Sequence, residues 1–312
     1  MRKVAVVAFF LNTLLYATYF PVAKGALGRL DPWIFMAAAE ALTLPVAFGL
    51  LWRGRRLTAQ TWRSGLLLGA IANLGFALGL QALRFTSATN TTFLGALSGV
   101  LGALITRVML RQRLHTMTWV AGVLSTVGAI GLVFAGGWGG VNAGDLIALV
   151  AAAIYAWNIF QTDRETTRPA ADTRGLLAVV LITGAALAFV ESLVFADRAT
   201  MAPFEVADLG VLVYVAVVTT VIPYAVTLKL QRHLQPVTVA FIYVIEPLWS
   251  AVFAAVYLGE MLSPQGLASA GLILAGALLA VWATLPSAQA EATATSGALK
   301  RPASAELALG GD

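Results

Sequence analysis

Ten apolar stretches, each long enough to cross a bilayer, succeed one another along almost the whole chain, and this pattern excludes most folds at once. They lie near 4–25, 32–52, 63–83, 89–110, 116–136, 142–161, 175–196, 209–229, 236–258 and 264–285. A hydrocarbon core about 30 Å thick takes about 20 apolar residues per helix. A backbone without water must satisfy its own hydrogen bonds, so such stretches cross as helices. The cations then set the orientation. With the N-terminus inside, 16 of the 20 Lys and Arg fall on the cytoplasmic side. These are Arg2, Lys3, Arg53, Arg55, Arg56, Arg63, Arg107, Arg111, Arg113, Arg164, Arg168, Arg174, Lys229, Arg232, Lys300 and Arg301. The outside keeps Lys24, Arg29, Arg84 and Arg198. Cationic loops resist translocation, and dropping or adding a span scrambles the alternation. Ten spans with both termini cytoplasmic are expected, in the cell (plasma) membrane.

Composition removes the soluble alternatives. The chain is 59% hydrophobic and 11% charged. A net charge of +5 would suggest nucleic acid in a soluble protein, but here it is loop Arg arranged for topology, so nucleic acid is not an expected partner. Cysteine is absent, which excludes disulfides and thiolate chemistry. His115 and His233 both sit near helix ends, so neither a metal site nor a cofactor is expected. The first stretch contains Pro21 and Lys24, exceeds a signal-peptide core and lacks a clear small-residue cleavage site; it reads as a retained helix. The tail from Pro286 to Asp312 is rich in Ala, Thr and Ser and is expected to be a disordered cytoplasmic extension.

The chain also repeats itself. Residues 76–133 and 224–281 align without a gap at an offset of 148. Ala77 meets Ala225, Arg84 meets Arg232, Phe93 meets Phe241, Leu110 meets Leu258, and Gly128-Ala129 meets Gly276-Ala277. Tyr16-Ala17 is echoed by Tyr155-Ala156, and a Gly-rich joint at 136–140 separates the halves. The expected division is 1–138, 139–285 and the tail 286–312. Five spans per half is an odd number, so the second half enters the membrane upside down. The expected fold is an all-α integral membrane protein of ten transmembrane helices in two inverted five-helix repeats. Inverted repeats of this kind underlie many secondary transporters. Small residues spaced four apart, Gly65 and Gly69, Gly75 and Gly79, Gly95 and Gly99, are expected to let helices approach closely.

The stretch Tyr243–Leu279, YVIEPLWSAVFAAVYLGEMLSPQGLASAGLILAGALL, resembles the end of an EamA domain of the drug/metabolite transporter superfamily. The resemblance rests on Glu246-Pro247, Leu258-Gly259-Glu260 and Gly276, and in the first helix on Tyr16-Ala17, Phe20 and Lys24. It implies two tandem domains, ten helices and the transport of small metabolites. The chain departs from the family pattern at Tyr16, where Trp is usual, and at Glu40, where Arg is frequent. Its first half carries Ser98-Gly99 and Gln112 where the second has Glu246-Pro247 and Glu260.

A charge in the hydrocarbon region costs at least about 2.5–3.5 kcal/mol on insertion scales, so it faces a cavity or a partner. Glu40, Glu246 and Glu191 are acids set well inside the spans, the last near an outer end where headgroups are within reach. Glu40 and Glu246 read either as cation- or proton-binding groups or as neutral acids joining two helices. Pro21, Pro45, Pro223 and Pro247 each deprive a carbonyl one turn back of its partner, and freed backbone is tolerated where it lines a cavity. Tyr16, Tyr19, Trp157, Tyr224 and Tyr243 offer an apolar face with a polar tip, suited to amphipathic or cationic cargo. The amides Asn73 and Asn158 need partners inside the membrane. Lys24, near the outer end of the first helix, can snorkel to headgroups. The candidate substrate-binding set is therefore Tyr16, Tyr19, Glu40, Asn73, Trp157, Asn158, Tyr224, Tyr243 and Glu246. The preferred function is a secondary exporter of small organic metabolites such as amino acids, with protons as a candidate coupling ion. A passive channel, a non-transporting scaffold and an intramembrane enzyme are the alternatives. The chain holds no G-x-x-x-x-G-K-[ST] pattern for ATP, and the spans lack a catalytic constellation.

Overall fold

In the computed structural model, residues 2–52, 57–110, 116–134, 142–168, 172–197, 203–230, 233, 242–243 and 245–282 are described. Gln112, His115, Arg232, the Gly-rich joint and the C-terminal tail lie outside them. The described residues form helices and connecting turns, with no strand among them. In chain order the helices are α1 (Arg2–Ala17), α2 (Tyr19–Ala26), α3 (Pro32–Ala41), α4 (Leu44–Trp52), α5 (Ala59–Ala82), α6 (Ala88–Gly95) and α7 (Ser98–Leu110). They continue as α8 (Thr116–Val133), α9 (Ala143–Thr166), α10 (Thr173–Phe195), α11 (Val206–Tyr214), a π-helix (Val215–Val221), α12 (Ile222–Leu230), α13 (Glu246–Leu258) and α14 (Pro264–Trp282).

Six of the ten expected spans are helices long and apolar enough to cross a membrane: 3–26, 32–52, 59–82, 143–166, 173–195 and 206–230. The other four stretches carry shorter helices, with 88–110 divided in two. Large apolar side chains such as Val123, Phe189 and Val256 point outward, the last 84% exposed. An apolar outer surface of this kind suits lipid, and the protein is a multi-pass membrane protein.

Proline explains the interruptions. A ring at position i has no N–H to give and crowds the carbonyl at i−4. Helix α1 ends at Ala17, four before Pro21, and α3 ends at Ala41, four before Pro45. Before Pro223 the ladder widens into the π-helix, the Ile222 amide reaching back to the Val217 carbonyl. Pro247 stands at the second position of α13, whose regular turns begin at Glu246. One break has no proline: between α6 and α7 the Leu97 amide donates to the Leu94 carbonyl at 3.1 Å. The Ile245 amide donates to the Ile242 carbonyl at 3.3 Å in the same way. The two bonds stand 148 positions apart, so the offset seen in the sequence recurs in the backbone.

Helix packing follows the small residues. Gly65 and Gly69 leave room for Val179 and Thr183 of α10, and Gly75 and Gly79 for Tyr155 of α9. Gly95 has nothing within 4 Å, so it does not serve close packing as expected. A further close contact joins α8 and α14. A Cβ on Gly128 would lie 2.7 Å from the Ser269 carbonyl oxygen and 2.8 Å from the Ile273 nitrogen. A Cβ on Gly276 would lie 2.7 Å from the Ala121 carbonyl oxygen and 2.8 Å from the Ser125 nitrogen. Ser125 also donates to the Ile273 carbonyl, across 148 positions. The contact is reciprocal: each glycine meets the pair that corresponds to the other's partners.

The turn between α5 and α6 is gripped by three charges. Lys24 donates to the carbonyls of Leu83 and, at 2.8 Å, Thr86, so it turns inward instead of snorkelling to headgroups. Asp145 of α9 accepts from the Thr86 hydroxyl at 2.6 Å. Glu260 accepts from the amides of Ala88 and Thr89, both at 3.0 Å, and from the Thr89 hydroxyl at 2.9 Å. Gly259, at φ +69°, makes the left-handed turn that ends α13 and brings Glu260 back onto the start of α6. A carboxylate at a helix N-terminus satisfies orphan donors and complements the helix dipole. Glu260→Ala is therefore expected to destabilise the protein by about 0.5–2 kcal/mol, the usual worth of an N-cap. A melting temperature equal to wild type in the same detergent would refute this role.

Candidate functional site

Every helix interruption named above, except that between α6 and α7, carries a candidate residue. Tyr16 and Tyr19 flank the break at Thr18; Glu40 stands in the last turn of α3; Tyr224 follows the π-helix; Tyr243 and Glu246 flank the start of α13. Where the ladder opens, the backbone deviates from a smooth rod and unfilled space can collect. A small cleft lies there, lined by Glu40 of α3, Gly69, Ala72, Asn73 and Phe76 of α5, Val180, Leu181 and Gly184 of α10, Thr220 of the π-helix, and Tyr224 of α12.

Glu40 reaches the cleft because α3 stops at Ala41. Its own carbonyl is satisfied by the Thr43 amide at 3.0 Å and hydroxyl at 2.7 Å, which closes the helix. No hydrogen bond or ion pair to the Glu40 carboxylate is found among the described residues. It lies against Gly184, where a Cβ would stand 3.1 Å from Oε2. Tyr19 and Tyr224 lie within electrostatic reach of it. The reading of Glu40 as an acid hydrogen-bonded between two helices therefore has no bond to rest on among the described residues.

Asn73 is 3% exposed, and its Nδ2 donates to both oxygens of Glu191, at 3.1 and 3.0 Å. This corrects the expected interfacial role of Glu191: its carboxylate turns to an amide in α5. Asn73 Oδ1 is buried without a donor. Tyr19 packs edge-on against Phe20 and Phe76, with ring centroids 5.1 and 5.3 Å apart. Asn158 donates to the Leu68 carbonyl at 3.4 Å and bonds Tyr224. Trp157 pairs with Phe160 on its own helix, centroids 5.6 Å apart, and is not among the residues lining the cleft.

A second cluster lies beside the first. Asn12 donates to the Tyr243 hydroxyl at 3.1 Å and to Thr227 Oγ1 at 3.5 Å, and the Tyr16 ring stands 6.2 Å from that of Tyr243. Tyr16, Tyr155 and Tyr243 are within electrostatic reach of Glu246. Tyr224 is within reach of Tyr16 and Tyr155, so the tyrosines bridge the two acids. The carboxylate of Glu246, like that of Glu40, has no bonded partner among the described residues. Sequence reasoning missed Asn12, although an amide in an apolar span was the same signal that singled out Asn73. It also missed Thr220 and Gly184, which no signal in the chain distinguishes from other small residues.

The model of the EamA-like transporter family matches residues 3–134 and again 142–282. The chain belongs to the EamA-like transporter family. A relative described as an uncharacterized transporter, from Archaeoglobus fulgidus, is 24% identical over 277 residues, covering 86% of this chain and 83% of its own. A solved crystal structure of a protein superposes on 90% of this chain and 97% of its own with a TM-score of 0.62 at 19% identity, and shows the same fold. In this EamA-like protein the Leu258-Gly259-Glu260 motif has a physical meaning. Glycine turns the chain and glutamate caps the helix of the other matched region.

Proposed function

We propose that this membrane transporter is a secondary exporter of small organic metabolites such as amino acids, working by alternating access. Its two inverted five-helix repeats would be 1–138 and 139–285, with both termini cytoplasmic in the plasma membrane. The observation that carries this reading is the reciprocal contact of α8 and α14. Gly128 and Gly276, 148 positions apart, each press on the pair equivalent to the other's partners. Related halves that meet through such a contact can exchange their conformations, which turns an inward-open state into an outward-open one. The broken helices and the cleft between them supply the site where cargo would rest, and Glu40 and Glu246 the groups that would carry a proton.

Reconstitution into liposomes tests the mechanism. An alternating carrier gives saturable counterflow, in which unlabelled cargo on one side drives labelled cargo uphill from the other. A passive channel gives leak without counterflow, and a scaffold gives neither.

The topology has its own test, which the lack of cysteine makes clean. Cysteines at Arg55 and Lys300 are expected to be protected from an impermeant maleimide in intact cells, and cysteines at Trp138 and Glu260 to be labelled. Labelling of the Arg55→Cys variant from outside would reject the orientation.

A further inference from the structure

The cleft offers acceptors and lacks a cation. Glu40 presents a carboxylate without a bonded partner among the described residues, whereas Asp145, Glu165, Glu191, Asp208 and Glu260 each hold a hydroxyl, amide or guanidinium. Asn73 is nine-tenths buried, and its amide group is pinned by Glu191, which fixes which end is oxygen. Its free Oδ1 is therefore an acceptor awaiting an N–H. Phe76 and Tyr224 add aromatic rings to the lining, and no Lys, Arg or His contributes to it. Gly184 keeps clear the space beside Glu40. An isolated carboxylate in an apolar setting is costly, and a paired one much less so. Ammonium has only donors to give, and an aromatic lining favours cations further.

We infer that this cleft binds the protonated amine of an organic cation, Glu40 taking the charge and Asn73 Oδ1 a further N–H. The inference rests on the transport reading and narrows it. Besides the Asn73 Nδ2 already held by Glu191, an amino acid's carboxylate finds only the hydroxyls of Thr220 and Tyr224 as donors among the lining side chains, so a cargo without that carboxylate fits better.

Two matched sets of probes decide this on the purified full-length protein: tyramine, tyrosine and 3-(4-hydroxyphenyl)propionate, and isopentylamine, leucine and 4-methylpentanoate. Affinity is read by thermal stabilisation in detergent. The amine is expected to lead each set, and Glu40→Gln to weaken it by about tenfold or more, as loss of a buried charge partner does. Gly184→Ala keeps the charge but crowds Oε2 and is expected to weaken the amine as well; it decides the matter if the Gln variant does not fold. An amino acid or acid that matches its amine, an amine affinity unchanged in the variants, or no stabilisation by either amine overturns the inference. Counterflow of the same probes separates the two readings. Amino acids carried without preference for amines leave transport standing and the cation site refuted; amines bound but never exchanged do the reverse.

Discussion

Gly128→Val and Gly276→Val are each expected to destabilise the protein by about 1–3 kcal/mol or more, the cost of overpacking a well-packed interior. Besides the side chains of Ile273 and Ser125, the obstacles include backbone atoms, the Ser269 oxygen and Ile273 nitrogen for one, the Ala121 oxygen and Ser125 nitrogen for the other. Backbone held in a helix cannot rotate aside as a side-chain tip can, so α8 and α14 must separate. The neighbours of Gly128 and Gly276 correspond, so the two losses should be of similar size. Gly271→Val supplies the control on the same helix as Gly276, because nothing lies within 4 Å of its Cβ. Thermal unfolding of the three variants in one detergent checks all of this. A Gly271→Val loss as large as the other two would mean that helix propensity, not the contact, sets the cost.

Glu246→Gln is expected to fold as wild type and to lose transport by about tenfold or more, which corresponds to about 1.4 kcal/mol. What matters is what the Glu246 carboxylate does not do. No hydrogen bond or ion pair holds it among the described residues, so replacing one oxygen by an amide removes no structural bond found there. It does remove a charge set among Tyr16, Tyr155 and Tyr243 at an opened helix start. A purely structural acid predicts the opposite pair of results, a lower melting temperature with counterflow intact per folded molecule. Unfolding and counterflow measured on the same preparation therefore separate the two roles. Full counterflow in this variant would remove Glu246 from the site.

Much of the architecture was legible before any coordinates. Apolar length set the helices, and Pro21, Pro45, Pro223 and Pro247 pointed to interruptions, because a missing N–H acts on the carbonyl one turn back whatever surrounds it. The offset of 148 needed only the order of residues, and it reappears in paired backbone bonds and in the two glycines. These are consequences of local chemistry and counting.

The faces of the helices were not legible. A soluble helix shows its buried side by alternating apolar and polar residues, but a membrane helix is apolar all round and gives no such signal. Whether a polar side chain in it turns to lipid headgroups, to a neighbour or to a cleft depends on which helix stands beside it. Lys24 and Glu191 show the difference: position alone put both at the interface, and packing turned one onto the end of α5 and the other onto Asn73. Glu40 was visible as a costly charge, yet only the approach of Gly184, Asn73 and Tyr224 gave it a cleft to face. The sequence by itself determined where apolar helices form, where proline interrupts them and where the chain repeats, since those depend on neighbours along the chain. Tertiary structure alone decided which polar groups meet, since inside a bilayer a polar group is directed by whatever partner lies across the helix interface.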